Sequence, residues 1–272
     1  MPEETILDRI VARRRQDVEA ARNSLPAAEL AKRVAGAPEA LDFPDRLRVS
    51  DPVAIIGEIK RASPSRGDIA PAADAVTLAL AFAGAGAAGI SVLTEPHWFR
   101  GELSDLEAVR RCCASLGEQR PGLLRKDFIV DEYQVLEARA AGADSVLLIV
   151  AALDQQDLED LVRTSRGLGM EPLVEINNRR ELDRALEAGA TLVGINNRDL
   201  RTFNVDLDTT DRLASAVPDS VLLAALSGVR GRSDIERFAA AGARAALVGE
   251  TLMLAPEPEA KMRELLGVGV PR

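Results

Sequence analysis

The chain has 272 residues, which suits one large domain or two ordinary ones, and its 47% hydrophobic and 28% charged residues predict a globular protein with a large core. The formal net charge of −9 argues against nucleic acid or an anionic lipid surface as a partner. An anionic small substrate remains compatible with this charge, because a local group of Lys and Arg can dominate one pocket.

Cysteine and histidine usage argues against several kinds of site. Cys112 and Cys113 are adjacent within a helical pattern, which disfavours a disulfide, and no Cys/His cluster suggests zinc. His97 is the only histidine, so His-centred triads and multi-His metal sites are disfavoured. The N-terminus lacks a signal-peptide hydrophobic region, and no apolar run has the length of a membrane span. We therefore expect a cytoplasmic protein without a zinc or multi-His metal site and without membrane contact.

The first 50 residues predict an N-terminal helical extension. Apolar residues recur at helical spacing over 6–23, and 26–36 predicts a second short helix. The segment "FPDRLR" (43–48) predicts a turn that leads inward. No linker or low-complexity segment interrupts the chain, so we expect residues 1–272 to form a single domain.

Eight short apolar runs follow the extension. They are rich in Val, Ile and Leu and have the length of strands that are buried on both faces. The runs are "VAIIGEIK" (53–60), "GISVLTE" (89–95), "GLLRK" (122–126), "DSVLLIV" (144–150), "EPLVEIN" (171–177), "TLVGINNR" (191–198), "SVLLAALSG" (220–228) and "RAALVGE" (244–250).

Segments of helical periodicity lie between these runs. Several end in a glycine that suits a left-handed helix C-terminus. Ser233 and Glu236 have the spacing of a capping box at the start of one helix. The helical segments are 72–83, 103–116, 131–141, 154–168, 178–188, 207–216 and 232–241.

Strands that alternate with helices through short connections predict a parallel α/β sheet. Eight such units in about 220 residues favour a closed (β/α)8 TIM barrel, whose usual size is about 250 residues. A doubly wound open sheet is the alternative, but no GxGxxG motif follows the first strand. We therefore predict the barrel, preceded by the helical extension.

Polar residues recur at the carboxyl ends of seven of the predicted strands. In a barrel these ends meet at one mouth, where active sites form. A lysine that closes one strand, such as Lys126, would ordinarily mark the point where the chain meets water, but convergence from so many strands favours a pocket. These residues are Glu58, Lys60, Thr94, Glu95, Lys126, Glu175, Asn177, Asn196, Arg198, Ser227 and Gly249.

Three loops at this mouth suggest further contributions. The Ser/Pro/Gly-rich loop 63–69 is either a mobile lid or an ordinary connection. Trp98 and Phe99 either wall an aromatic substrate or pack against the extension. The glycines of "LSGV" (226–229) and "VGETL" (248–252) allow backbone amides to approach an anion such as phosphate.

Several long motifs resemble one family, the indole-3-glycerol phosphate synthases, over roughly residues 4–265. The resemblance implies closure of the indole ring of 1-(2-carboxyphenylamino)-1-deoxyribulose 5-phosphate, with release of CO2 and water and without metal or cofactor. It also implies a monomer. The motifs are "ILDRIVARRRQDVE", "IIGEIKRASPSRGDI", "SVLTEPHWFRGELSDL", "LLRKDFIVDEYQV", "SVLLIVAAL", "EPLVEINN", "GINNRDLRTF" and "LVGETLM".

The resemblance also implies roles for individual residues. Lys126 would be the general acid of ring closure, and Glu175 and Lys60 would act in the later proton transfers. Glu58 would orient Lys60, and Asn196 would position a substrate hydroxyl or Glu175. Arg198 would support the carboxylate-bearing end of the substrate or the network of the site. The other implied substrate contacts are Phe99 and Leu147 on the anthranilate ring, and Ser63, Ser227, Gly228, Gly249 and Glu250 around the phosphate.

One residue departs from the family pattern. Leu226 stands in "LSG" where the family has a glutamate, so a pocket carboxylate is replaced by an isobutyl group. This departure allows a synthase with impaired or altered activity. Two other readings are a Schiff-base aldolase that uses Lys60 or Lys126, and a catalytically silent barrel that only binds a phosphorylated ligand or a partner protein.

Overall fold

The predicted (β/α)8 TIM barrel is confirmed by a computed structural model that describes residues 4–48 and 53–266. Eight parallel strands pair in chain order, and the last strand pairs with the first to close the barrel. The strands are β1 (Ala54–Ile59), β2 (Gly89–Leu93), β3 (Gly122–Lys126), β4 (Ser145–Ile149), β5 (Leu173–Ile176), β6 (Leu192–Asn196), β7 (Leu222–Leu226) and β8 (Ala245–Val248).

Helices precede, connect and follow these strands. Three belong to the extension, and the others cover the outside of the barrel. They are α1 (Ile6–Ser24), α2 (Ala27–Ala35), α3 (Phe43–Leu47), α4 (Ala75–Ala85), α5 (Leu103–Cys113), α6 (Glu132–Ala140), α7 (Gln155–Gly167), α8 (Arg179–Glu187), α9 (Asp208–Ala214), α10 (Arg232–Ala240), α11 (Glu250–Met253) and α12 (Pro258–Leu265).

Strand residues alternate between two apolar layers. In β3, Leu123 belongs to the layer between strands and helices, and Leu124 belongs to the layer that fills the barrel. Leu147 and Leu226 share this inner layer, which is built largely from Leu, Ile and Ala. At the carboxyl ends of the strands, several of the inward-facing positions are occupied by polar side chains instead of apolar ones.

Glycines end several helices in the predicted way. Gly86, Gly142, Gly189 and Gly242 have φ angles of 102°, 89°, 80° and 100°, the left-handed region that glycine adopts without a steric penalty. Each of these glycines turns the chain into the next strand, so the connections at the amino ends of the strands stay short.

The extension contacts both ends of the barrel. In α1, Leu7 and Ile10 pack in one cluster with Phe128, which follows β3 at the carboxyl mouth. The ring of Phe43 in α3 is fully buried at the opposite mouth, against Gly89 and Gly122, the first residues of β2 and β3. Between them, α2 packs along the outer helix α6.

Two local predictions are wrong. The segment 43–48 contains the short helix α3 instead of a turn, because Asp42 caps it by accepting the Asp45 N–H at 2.9 Å. The predicted capping box of Ser233 and Glu236 does not start α10. This helix begins at Arg232, and Asp234 accepts the backbone N–H groups of Arg230 and Gly231 instead.

Some expectations concern residues that the structure does not describe. Residues 1–3 and 49–52 lie outside it, so the predicted extension of 1–50 is seen only over 4–48. A single domain over all 272 residues stays a prediction. No helix of the described residues is both long and apolar enough to span a bilayer.

Candidate active site

A cavity opens at the carboxyl mouth of the barrel. Twelve of the thirteen site residues expected from the sequence line it, contributed by β1, β3, β5 and β6 and by the loops after most strands. These twelve are Glu58, Lys60, Ser63, Phe99, Lys126, Glu175, Asn196, Arg198, Ser227, Gly228, Gly249 and Glu250.

The first ion pair of the cavity belongs to β1. Lys60 Nζ donates to Glu58 Oε1 at 2.7 Å, and Glu58 is buried while Lys60 keeps access to the cavity. Burial alone would raise the pKa of Glu58, but the charges of Lys60, Lys126 and Arg198 outweigh it and lower this pKa. Glu58 is therefore a carboxylate that holds cationic groups in place.

The second pair joins β3 and β5. Lys126 Nζ lies 3.8 Å from Glu175 Oε2, and Asn196 Nδ2 donates to Glu175 Oε1 at 2.8 Å. Burial raises the pKa of Glu175, against the opposing effects of Lys126 and Asn196. Glu175 Oε2 is buried and has no hydrogen-bond partner among the described residues. This oxygen of Glu175 can therefore accept a proton or a further hydrogen bond.

A cationic rim closes one side of the cavity. After β1, residues 62–63 pair with residues 67–68 in a short antiparallel hairpin, which has Ser65 and Arg66 at its tip. Arg66 forms an ion pair with Glu250, whose Oε2 lies 3.8 Å from Arg198 Nη2. Arg198 also approaches Ser65 Oγ at 3.5 Å. The hairpin is therefore linked to the loops after β6 and β8, while its closure over a substrate stays a prediction.

Glycines shape the cavity wall beneath this rim. Ser227 and Gly228 both have left-handed backbones, with φ angles of 65° and 89°. A Cβ on Gly249 would lie 2.3 Å from Glu58 Oε1, so only glycine lets the backbone pass this close to the carboxylate. Such turns can present backbone amides to an anion.

Leu147 is the one expected site residue that does not line the cavity. It is buried in the inner layer below it, and Ile149, two residues later on the same face of β4, lines the cavity instead. The residue of β4 that faces the cavity is therefore Ile149 and not the expected Leu147. Phe128 and Phe203 also line the cavity and were missed. Phe128 follows Lys126 by two residues, a spacing that could have identified it.

Three strand-end polar residues predicted at the mouth also lie outside the cavity lining. The Thr94 hydroxyl donates to Asp127 at 2.6 Å, and Asn177 Nδ2 donates to the carbonyl of Asn196 at 2.7 Å. The Glu95 carboxylate accepts backbone N–H groups of the following loop. These residues support the site from behind instead of facing it.

Asp127 links the site to the extension. It is fully buried directly after Lys126 and accepts hydrogen bonds from Arg14 of α1 at 3.0 Å and from Arg125 at 3.1 Å. It also accepts from the Thr94 hydroxyl and from the Phe128 N–H, at 2.6 and 2.8 Å. Burial would raise the pKa of Asp127, but the two arginines outweigh it and hold this pKa low.

Leu226 forms part of the cavity floor. It is 1% exposed, and a Cβ added to Gly194 of the adjacent β6 would lie 2.7 Å from its Cδ1. The position is therefore apolar and tightly packed directly beside Asn196, its register partner.

Comparisons with known proteins support one family. The family model for indole-3-glycerol phosphate synthase matches residues 7–265. The chain is 46% identical to an indole-3-glycerol phosphate synthase of Roseiflexus sp. (strain RS-1), with 97% of this chain and 99% of that protein covered. It is 52% identical to a multifunctional tryptophan biosynthesis protein of Schizosaccharomyces pombe, with 85% of this chain but 30% of that protein covered.

The chain thus spans about a third of the length of its multifunctional fungal relatives and nearly the whole length of the bacterial ones. Among solved structures, 3-hexulose-6-phosphate synthase from Salmonella typhimurium has a TM-score of 0.62 at 14% identity, over 78% of this chain and 96% of that one. That likeness concerns the fold alone. The family match over almost the entire chain shows that it belongs to the indole-3-glycerol phosphate synthase family.

Proposed function

We propose that the chain converts 1-(2-carboxyphenylamino)-1-deoxyribulose 5-phosphate into indole-3-glycerol phosphate, CO2 and water. The observation that carries this proposal is the pair of lysines in one cavity, each facing a buried carboxylate. Lys60 is held at 2.7 Å by Glu58, and Lys126 lies 3.8 Å from Glu175. The family match favours this reaction over a Schiff-base aldolase on the same barrel.

Ring closure requires a proton donor at the ketose oxygen. The ring carbon that bears the carboxylate attacks the ketose carbon, the carbonyl oxygen takes a proton from Lys126, and the later loss of CO2 restores the aromatic ring. Lys126 suits this role because it ends β3 inside the cavity, with Glu175 as its nearest carboxylate. We assign it as the general acid.

Dehydration requires an acid and a base on the resulting hydroxy-indoline. The hydroxyl leaves as water with one added proton, and one proton is removed as the second ring becomes aromatic. Glu175 and Lys60 supply these groups in our proposal. The raised pKa of Glu175, caused by burial, brings it closer to the range in which a carboxyl both releases and accepts protons. Asn196 keeps this carboxyl oriented, and Glu58 does the same for Lys60.

The cavity also offers separate environments for the two ends of the substrate. Phe99 and Ile149 provide apolar surface for the anthranilate ring, and Arg198 provides a cation for its carboxylate. The turns at Ser227, Gly228 and Gly249 provide backbone for the phosphate, with Ser63 and Glu250 nearby.

The test is product formation by the purified chain. We expect it to convert the anilino-deoxyribulose phosphate to indole-3-glycerol phosphate, followed by indole absorbance and by CO2 release. No product at high enzyme concentration, with intact substrate recovered, would refute the proposed activity. Borohydride reduction in the presence of substrate should leave the protein mass unchanged, since a covalent adduct would favour the aldolase.

We also propose that the chain acts as a cytoplasmic monomer with a small-molecule substrate and no nucleic-acid partner. The net charge of −9 supports the last point, because phosphate backbones bind basic surfaces. Size-exclusion chromatography with light scattering should give a mass near 29.1 kDa. A mass of twice this value at micromolar concentration would contradict the monomer.

A further inference from the structure

We propose that Glu95 is a positioning residue that places the Phe99 ring in the cavity wall and so sets affinity for the aromatic end of the substrate. The inference rests on the proposed function and deepens it. Glu95 does not line the cavity, and it acts through the loop that joins β2 to α5.

The carboxylate of Glu95 organises this loop. Glu95 is 0% exposed, and it accepts three consecutive backbone N–H groups: His97 at 2.9 Å, Trp98 at 2.7 Å and Phe99 at 3.0 Å. Its own carbonyl accepts the Gly101 N–H at 2.9 Å. A single buried residue therefore fixes the loop at four points, and an ionised carboxylate is the side chain best suited to accept several N–H bonds.

The loop needs this support because its return path is tight. Arg100 has a left-handed backbone with φ of 53°, and a Cβ on Gly101 would lie 2.2 Å from the Leu93 carbonyl oxygen. Without acceptors for its amides, the loop would leave this conformation readily.

The position of Phe99 depends directly on the same bonds. Its ring lines the cavity and packs on Phe128 with ring centroids 5.9 Å apart at a tilt of 41°. The neighbouring Trp98 does not line the cavity. His97 does not line it either, and its Nε2 lies 3.1 Å from Oδ2 of Asp17 in α1. The three amides thus decide which aromatic side chain faces the substrate.

The charge of Glu95 is balanced from the extension. Arg14 has an electrostatic interaction with Glu95 as well as with Asp127. Arg14 thus supplies an opposite charge to this buried side chain, where an unpaired charge would be costly. Replacing it with the neutral Gln would leave one oxygen for three donors and would place an NH2 group against N–H groups.

The experiment compares Glu95→Gln with Glu107→Gln, the same change at a half-buried position on the adjacent α5, away from the cavity. Dissociation constants are measured for indole-3-glycerol phosphate, which has the ring, and for glycerol 3-phosphate, which lacks it. Glu95→Gln should weaken the first by about tenfold, the scale of one lost aromatic contact, and leave the second unchanged. Glu107→Gln should change neither. In turnover, the loss should appear in KM more than in kcat.

Equal losses for both ligands would overturn the inference, because they would indicate a general structural role. No loss for either ligand would overturn it too. If Glu95→Gln does not fold, Glu95→Asp replaces it in the test. This substitution keeps the charge but shortens the side chain by one methylene group, so it should weaken the binding of the ring-bearing ligand only. Phe99→Leu should reproduce the effect, and adding it to the Glu95 variant should not weaken binding further. A wild-type chain that binds both ligands but makes no product would refute the proposed function and leave this comparison standing.

Discussion

The ion pair between Arg14 and Asp127 offers a quantitative test of how the extension supports the site. Arg14→Met keeps the length of the side chain but removes its hydrogen bonds to Asp127 and Asp17, at 3.0 and 2.9 Å. Asp127→Asn instead removes the charge that Arg14 and Arg125 share. Both substitutions lie behind Lys126, outside the cavity.

The structure gives different magnitudes for the two changes. After Arg14→Met, Asp127 keeps Arg125, the Thr94 hydroxyl and the Phe128 N–H, so the loss at this buried carboxylate is that of one charged hydrogen bond, about 2 kcal/mol. The lost bond to the partly exposed Asp17 should add less. Asp127→Asn removes the buried carboxylate that the guanidinium groups of Arg14 and Arg125 share, which leaves them only Asp17 and Glu137 as partners, and should cost about 3–5 kcal/mol. For a chain of this size, the smaller loss lowers Tm by about 4–8 °C.

The assay is a double-mutant cycle in urea, with turnover measured on the same samples. The combined variant should lose less stability than the sum of the single variants, with a coupling of about 1–3 kcal/mol. The folded-state pKa of Asp127 is lowered, so its stabilisation is present above the unfolded pKa and is lost as the pH falls through the folded value. Turnover should fall because Lys126 precedes Asp127 directly.

Arg15→Met is the matched control, since this neighbouring arginine is exposed. The reasoning fails if Arg14→Met and Arg15→Met have the same effect on stability. It also fails if the losses of Arg14→Met and Asp127→Asn simply add, because the two residues would then not act through one contact.

Three further predictions concern the cavity itself. Lys126→Met should lower kcat by about 10²–10⁴-fold, the usual contribution of a positioned acid, whereas Lys32→Met, at an exposed position, should not. A small loss of kcat in Lys126→Met would contradict its role as the acid of ring closure. Glu175→Gln should lower turnover on a similar scale of about 10²–10⁴-fold. Burial raises the folded-state pKa of Glu175. In urea titrations, the wild type should therefore lose stability relative to this variant as the pH rises from the unfolded-state pKa of Glu175 to its folded-state pKa. The opposite trend would contradict the raised pKa. If the missing carboxylate limits proton transfer, Leu226→Glu should raise kcat/KM by about tenfold or more, while Leu226→Gln should not. Equal kcat/KM values for the wild type and both variants would show that Leu226 does not limit the reaction.

The barrel was predictable because its signals are local and repeated. Apolar runs of strand length and glycines at helix ends recur along the chain, so an error in one element does not alter the topology. The turn predicted at 43–48 was wrong because a single cap at Asp42 was enough to start a helix there. Residue composition could not reveal that this helix closes one end of the barrel.

The site was predictable where strand parity decides orientation. Glu58 and Lys60, two residues apart, both line the cavity, as do Asn196 and Arg198. Parity is lost just beyond a strand, which is why Glu95 was placed at the mouth although it turns back to its own loop. The cavity wall at Phe203 depends on a loop with a left-handed residue, for which the sequence carries no periodic signal.

The base of the barrel has a consequence for how the chain can change. A Cβ on Gly122 would lie 2.5 Å from the Phe43 ring, and one on Gly89 would lie 3.2 Å from it. Phe43→Ala alone would leave a void and cost about 3–5 kcal/mol, whereas Gly122→Ala alone would force the ring aside. Compensation therefore requires simultaneous substitutions in segments almost eighty residues apart, so this end of the molecule should resist stepwise redesign.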